Sequence, residues 1–169
     1  RPLNYKANGL KKSCYVVVWQ APRNVWLSYH RGNYPHITPE RLRGLLQDSN
    51  GLRLGSWGDP ASVPFEVWQS IGVGSGEFNH TGYTHGYLVD NFDTRYAGIA
   101  MVSLDKVTPQ MPEGLNGRSF RVIDSVDEVM GGEILCPASK EQNYKTTCEK
   151  CGLCAGLDRK AKNIAIVLH

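Results

Sequence analysis

The sequence predicts an α/β protein with a mainly parallel sheet, and two observations lead to that fold class. Short apolar runs alternate with helix-like stretches along the chain, as they do in βαβ units. Polar or metal-competent residues follow one apolar run after another. Ligands of barrels and of open parallel sheets bind at the carboxyl ends of the strands, so this placement predicts a lined site on either architecture.

The totals fit one soluble domain over residues 1–169. The chain has 169 residues, of which 41% are apolar and 21% charged, and its net charge is +3. No apolar run is long enough to cross a membrane, and no secretory signal is visible. Four of the five cysteines crowd together, which indicates a reducing compartment and metal ligation rather than a spread disulfide framework. We therefore expect a cytoplasmic protein without a membrane partner.

The first half of the chain holds the clearest helix. Thr38 fits the N-cap, Pro39 the first helical position and Gly51 the stop, so a helix is predicted between them. Residues 14–22 and 25–30 fit a strand or a buried helix equally well. The remaining predictions for this half are a strand and glycine-rich turn over 51–60, a helix over 62–72 and a strand over 78–85.

The second half alternates strands with short polar segments. A capping box of Ser125 and Glu128 predicts a short helix, which Gly131 and Gly132 end. The predicted strands cover residues 97–105, 118–125, 132–139 and 162–169. The four tryptophans stand in apolar surroundings and are expected in the core.

Each predicted strand ends in a polar or metal-competent residue. The series consists of Asp59, His85, Asp105, Asp124, Cys136 and His169. Taken singly, an aspartate after a strand commonly makes a turn, and a lone histidine is commonly structural. Taken together they predict a substrate pocket in which the carboxylates orient polar groups and His85 transfers protons. Gly58, beside Asp59, and Cys14 are the residues expected to contact a cofactor.

The segment "CPASKEQNYKTTCEKCGLC" carries four cysteines, with the spacing Cys136-x11-Cys148-x2-Cys151-x2-Cys154. Thiolates are soft ligands, and four of them suit zinc or an iron–sulfur cluster. Successive x2 spacings resemble those of ferredoxin-type clusters, whose fourth ligand is remote. We predict a [4Fe-4S] cluster in this loop, residues 136–154, with Zn²⁺ as the alternative. A purely structural metal, ordinary thiols or two disulfides remain alternatives. Cys14, far away in the sequence, fits a small buried apolar residue equally well.

The segments "SCYVVVWQAPRNVW", "RLGSWGDPASVPFEVW", "GYTH", "CPASKEQNYKTTCEKCGLC" and "IAIVLH" occur in this order. With them the chain resembles an uncharacterised family of bacteriophage and prophage proteins, from about Ser13 to His169. Members of that family look like partial (β/α) barrels similar to radical SAM proteins. The resemblance implies a partial barrel of about six strands. It also implies a C-x2-C pair shortly before the stretch that matches Cys14, and this chain begins after that point.

The resemblance implies a phage-encoded, radical-SAM-like metalloenzyme in which Cys136, Cys148, Cys151 and Cys154 hold an auxiliary cluster. S-adenosylmethionine enters only if the missing amino-terminal cysteines exist. Phage context favours a nucleotide or a modified base as the small-molecule substrate. The alternative is a zinc-stabilised, non-catalytic protein that recognises nucleic acid or a host protein, to which the mild positive charge contributes.

Overall fold

A computed structural model describes residues 19–105 and 109–168. The predictions for Cys14, for His169 and for the start of the 14–22 segment lie outside these ranges. The chain divides into two compact units, residues 1–37 and residues 38–169.

In the first unit, the ambiguous segments form a helix, α1 (Ala21–His30), with Pro22 in its first turn. None of its residues is buried, and the Trp26 and His30 rings lie 4.2 Å apart. The placement of tryptophans in the core is wrong for Trp19, Trp26 and Trp57, which are exposed. Apolar neighbours in the sequence do not ensure burial, because α1 has no buried face.

The second unit contains six strands that form one sheet, and every pairing in it is parallel. The α/β class and the parallel sheet are therefore confirmed. The strand order is β1-β2-β3-β4-β6-β5. The strands are β1 (Leu52–Leu54), β2 (His80–Thr84), β3 (Met101–Leu104), β4 (Ser119–Ile123), β5 (Glu133–Leu135) and β6 (Asn163–Val167). Within the described ranges, no helix is long and apolar enough to cross a membrane.

Local sequence signals set the helix starts where side chains can satisfy the first backbone donors. The Thr38 hydroxyl accepts a hydrogen bond of 3.3 Å from the Arg41 N–H, and Pro39 begins the helix as predicted. The helices of this unit are α2 (Pro39–Gln47), α3 (Phe65–Ser70), α4 (Tyr96–Ile99) and α5 (Cys148–Cys151).

Two predicted elements differ from the structure. The strand predicted over residues 97–105 begins at Met101, because the preceding apolar residues belong to α4. The Ser125 side chain makes no capping hydrogen bond, and the helix after it is a single 3-10 turn. The Glu128 carbonyl instead accepts a hydrogen bond of 2.6 Å from the Arg121 guanidinium, so a strand side chain takes an acceptor that a longer helix would use.

The strand register divides the side chains between two faces of the sheet, since neighbours in register point to the same side. On the helix face, Leu54 packs in a buried cluster with Leu46 of α2 and Ile99 of α4. The opposite side we call the cysteine face. There Met101 and Ile164 pack in a second cluster, joined by Tyr83, Phe120, Ile134, Cys136 and Cys154.

Candidate functional site

The segment between β5 and β6, residues 136–162, contains all four clustered cysteines, and we call it the cysteine lobe. Cys136 directly follows β5, and its N–H donates to the Ala165 carbonyl of β6 at 2.8 Å. Cys154 accepts a hydrogen bond of 2.9 Å at its backbone carbonyl from the N–H of Gly82 in β2. The lobe is therefore fixed to the sheet at both its first and its last cysteine.

The middle cysteines lie on one helical turn. Helix α5 runs from Cys148 to Cys151, and residues at this spacing are neighbours on a helix surface. Gly152 ends the turn in the left-handed region at φ 58°, and its N–H donates to the Cys148 carbonyl at 3.1 Å. A glycine adopts this conformation without strain, which explains the residue at this position. The turn brings the chain back toward the sheet before Cys154.

The four thiols differ in burial. Cys154 is buried, Cys136 and Cys151 are half-buried, and Cys148 is exposed; all four are free thiols. The alternative of two disulfides is therefore wrong for this structure. Cys136 and Cys154 pack against the same apolar cluster on the cysteine face, whereas Cys148 faces outward.

The thiols affect one another electrostatically. Burial raises the pKa of Cys154 to about 11, and a hydrogen bond from Tyr83 offsets part of that rise. The negative charges of the other three thiolates raise the pKa of Cys154 further. Burial likewise raises the pKa of Cys136, to which Cys148 and Cys151 add. Four thiolates in this lobe therefore repel one another and need a cation to be stable together.

The metal prediction has no closed ligand set behind it. Across residues 19–105 and 109–168, no group of three or more His, Cys, Asp or Glu side chains has an arrangement that could hold a metal ion. The mutual effects on the thiol pKa values place the cysteines in one neighbourhood, but the sulfurs do not converge on a single point.

Arg118, immediately before β4, is a lobe contact that the sequence did not reveal. It is 6% exposed, and its guanidinium donates to backbone carbonyls of the lobe. Burial lowers the pKa of Arg118, and the Cys154 thiolate acts in the opposite direction. An arginine at a strand start carries no sequence signal of this role, because its acceptors lie 35 to 44 residues further along the chain.

His80, at the start of β2, is a second unforeseen contact. It is 3% exposed, and its Nε2 lies 3.0 Å from the Ile99 carbonyl oxygen. Its Nδ1 lies 3.9 Å from a carboxylate oxygen of Asp158 in the lobe. Burial lowers the pKa of His80, and Asp158 partly counteracts that effect. Alternation of small and large residues in β2 gives no sign that the histidine faces the core.

The strand-end residues do lie along the carboxyl edge of the sheet, because all six strands are parallel. Asp59 is in contact with the end of β2. Its Oδ1 accepts hydrogen bonds from the Thr84 hydroxyl at 2.7 Å and the Ala61 N–H at 2.9 Å, and its Oδ2 accepts one from the His85 N–H at 2.6 Å. Asp59 thus ties the loop after β1 to the end of β2, and its turn interpretation has direct structural support.

The remaining strand-end residues differ in their surroundings. Asp105 follows β3 and is buried, whereas Asp124 follows β4 and is exposed. Gly58 lies in the exposed turn before Asp59, and its N–H donates to the Gly55 carbonyl at 3.2 Å. The hydrogen bonds of Asp59 connect it to His85. The roles of these four residues in a substrate pocket remain predictions.

A cavity of about 240 Å³ lies beside Cys148, at the amino ends of β1 and β2. This is the opposite edge of the sheet from Asp59 and His85. The polar residues of its lining are Asn50, Arg53, Asn79, Thr81 and Glu149. A small polar molecule in this cavity would meet the exposed cysteine of the lobe.

No protein-family model, curated protein or solved structure matches this chain. The resemblance to phage proteins therefore stays a prediction, and the function has to be argued from the lobe and its surroundings.

Proposed function

We propose that the cysteine lobe is a metal-binding site in which Cys136, Cys148, Cys151 and Cys154 are the ligands. The observation that carries the proposal is the mutual pKa effect of these four free thiols within one small segment. Thiolates so close together repel one another, and a bound cation removes that repulsion. The donor set also fits, since four soft sulfur ligands suit zinc or an iron–sulfur cluster.

A [4Fe-4S] cluster is the first candidate for this site, within a phage-encoded protein of radical-SAM-like type. The all-parallel sheet is compatible with the partial barrel that the resemblance implies. The cavity beside Cys148 supports an enzymatic role, because it offers a small molecule or nucleotide access to the exposed side of the lobe. A cluster supplies electron transfer when bound; the chain's contribution is to hold the four thiolates and to shape the cavity.

Zinc in a non-catalytic protein is the second candidate, and the anchoring of the lobe favours it. Gly82 in β2, Ala165 in β6 and Arg118 before β4 all bind backbone atoms of the lobe. A structural zinc ion would close such a segment and add to the stability of the fold. The remaining surface would then be free to bind nucleic acid or a host protein.

Metal analysis of the full chain, prepared without oxygen, separates these proposals. About four irons per chain with visible cluster absorption supports the cluster, and about one zinc in colourless protein supports the structural site. Cys148→Ser should lower the metal content, whereas Cys14→Ser, the matched control outside the lobe, should leave it unchanged. A wild-type chain that takes up neither metal after reconstitution overturns the metal-site proposal.

A further inference from the structure

Arg118 is buried against the cysteine lobe in an unusual way. Its Nη1 donates three hydrogen bonds and its Nη2 donates one, and every acceptor is a backbone carbonyl of the lobe. The acceptors are the carbonyl oxygens of Leu153 at 2.7 Å, Gly156 at 3.1 Å, Arg159 at 3.2 Å and Lys162. One side chain therefore gathers the carbonyls of ten consecutive residues, 153–162, around a single positive charge.

These contacts satisfy hydrogen bonds but not the charge. A guanidinium stays protonated in proteins, and a buried cation is costly unless an anion accompanies it. Among the described residues, the hydrogen-bond acceptors of Arg118 are all neutral carbonyls, and its buried Nε has no hydrogen-bond partner. Arg118 therefore lacks the carboxylate that a buried arginine ordinarily has.

Arg121 provides an internal comparison on the same strand. It is also buried, but its guanidinium binds both carboxylate oxygens of Glu133, at 2.8 and 2.7 Å. The chain thus supplies a carboxylate for one buried arginine and none, among the described residues, for the other. What lies next to Arg118 is the segment that carries Cys154, since Leu153 is one of its acceptors.

We infer that Arg118 is the internal counter-cation of the metal centre, and that the centre is a net-anionic one bound by all four thiolates. The inference rests on the proposed metal site. Four thiolates around a divalent zinc, or around a [4Fe-4S] cluster of the same charge, leave a net charge of about −2. Arg118 holds the backbone around Cys154 and offsets part of that charge. It is a positioning residue, and it favours a fully cysteine-ligated centre over one with fewer thiolates.

Cobalt titration tests this inference, because Co²⁺ occupies thiolate sites and its sulfur charge-transfer absorption reports ligation directly. The reduced full chain is titrated anaerobically in competition with a chelator of known affinity. Arg118→Gln removes the charge, and its Co²⁺ affinity should fall about 10- to 100-fold, as is typical for residues that support metal ligands. Arg121→Gln, the matched control, should retain the wild-type Co²⁺ affinity although it breaks a buried ion pair.

Arg118→Lys separates charge from shape. Lysine keeps the positive charge but cannot span four carbonyls, so a counter-cation role predicts affinity within about threefold of wild type. A purely structural clamp predicts a loss as large as that of the glutamine variant. The lysine variant also carries the test if Arg118→Gln fails to fold. Wild-type-like Co²⁺ affinity in Arg118→Gln, or no rescue by lysine, overturns the inference, whereas a wild type without cobalt absorption overturns the metal site itself.

Discussion

Arg121 of β4 and Glu133 of β5 form a buried ion pair across the strand that separates them. The Arg121 Nη2 lies 2.7 Å from a Glu133 carboxylate oxygen, and Ala165 of β6 stands in register beside Arg121. Glu133 also accepts a hydrogen bond of 2.9 Å from the Met130 N–H. The pair therefore fixes the turn before β5, and with it the strand from which the cysteine lobe leaves the sheet.

Removing one member of this pair should be costly. Glu133→Ala leaves the Arg121 charge buried without a partner, and the free energy of unfolding should fall by about 3–5 kcal/mol in urea titrations. Replacing both residues, Arg121→Met with Glu133→Leu, should cost much less, since no charge is left behind. A double variant as unstable as Glu133→Ala would contradict this account.

The histidine on β2 should make stability depend on pH. Burial lowers the pKa of His80 in the folded state below its usual 6.5, so the unfolded chain takes up a proton first as the pH falls. The His80 contribution to stability is thus present above pH 6.5 and is lost as the pH falls below it. Urea midpoints at pH 7.5 and 5.5 measure the loss. His80→Gln should reduce it, while the exposed control His36→Gln should not; equal slopes in all three proteins would contradict the prediction.

The carboxyl-edge aspartate should act on stability. Asp59→Ala leaves the Thr84 hydroxyl and the His85 N–H without their acceptor, and a buried donor so exposed to loss costs about 1–3 kcal/mol. Urea unfolding measures the change. Asp90→Ala, at an exposed position, is the control and should stay close to wild type. If Asp59→Ala is as stable as that control, the hydrogen bonds do not tie the two strand ends together.

Local signals predicted the elements whose determinants are close in sequence. Thr38 and Pro39 mark the start of α2 without any help from the rest of the chain, and alternation of strands with helices was enough to predict parallel pairing. The apolar run around Met101 misled the boundary of β3, because periodicity alone cannot separate a buried helix end from a strand.

The surroundings of the lobe could not be predicted, since they depend on distant pairings. Cysteine spacing marks the lobe, but only the folded chain shows that Arg118 binds its carbonyls and that His80 approaches Asp158. The strand order also places β6 between β4 and β5. That order, which local patterning does not encode, is what allows Arg121 to reach Glu133 over the small side of Ala165.

Two glycines that approach each other test how closely the lobe must pack on α4. Gly156 has φ 58°, and a Cβ there would lie 2.7 Å from the Ala97 and Gly98 carbonyl oxygens and the Ala100 nitrogen. Gly156→Ala should therefore lower the free energy of unfolding by more than about 1 kcal/mol. Gly98→Ala is the matched control, because a Cβ at that helical position meets nothing within 4 Å. It should leave stability unchanged or raise it slightly, since alanine favours helix over glycine. Urea titration of both variants decides the matter: equal effects would show that the lobe can move away from α4 at little cost.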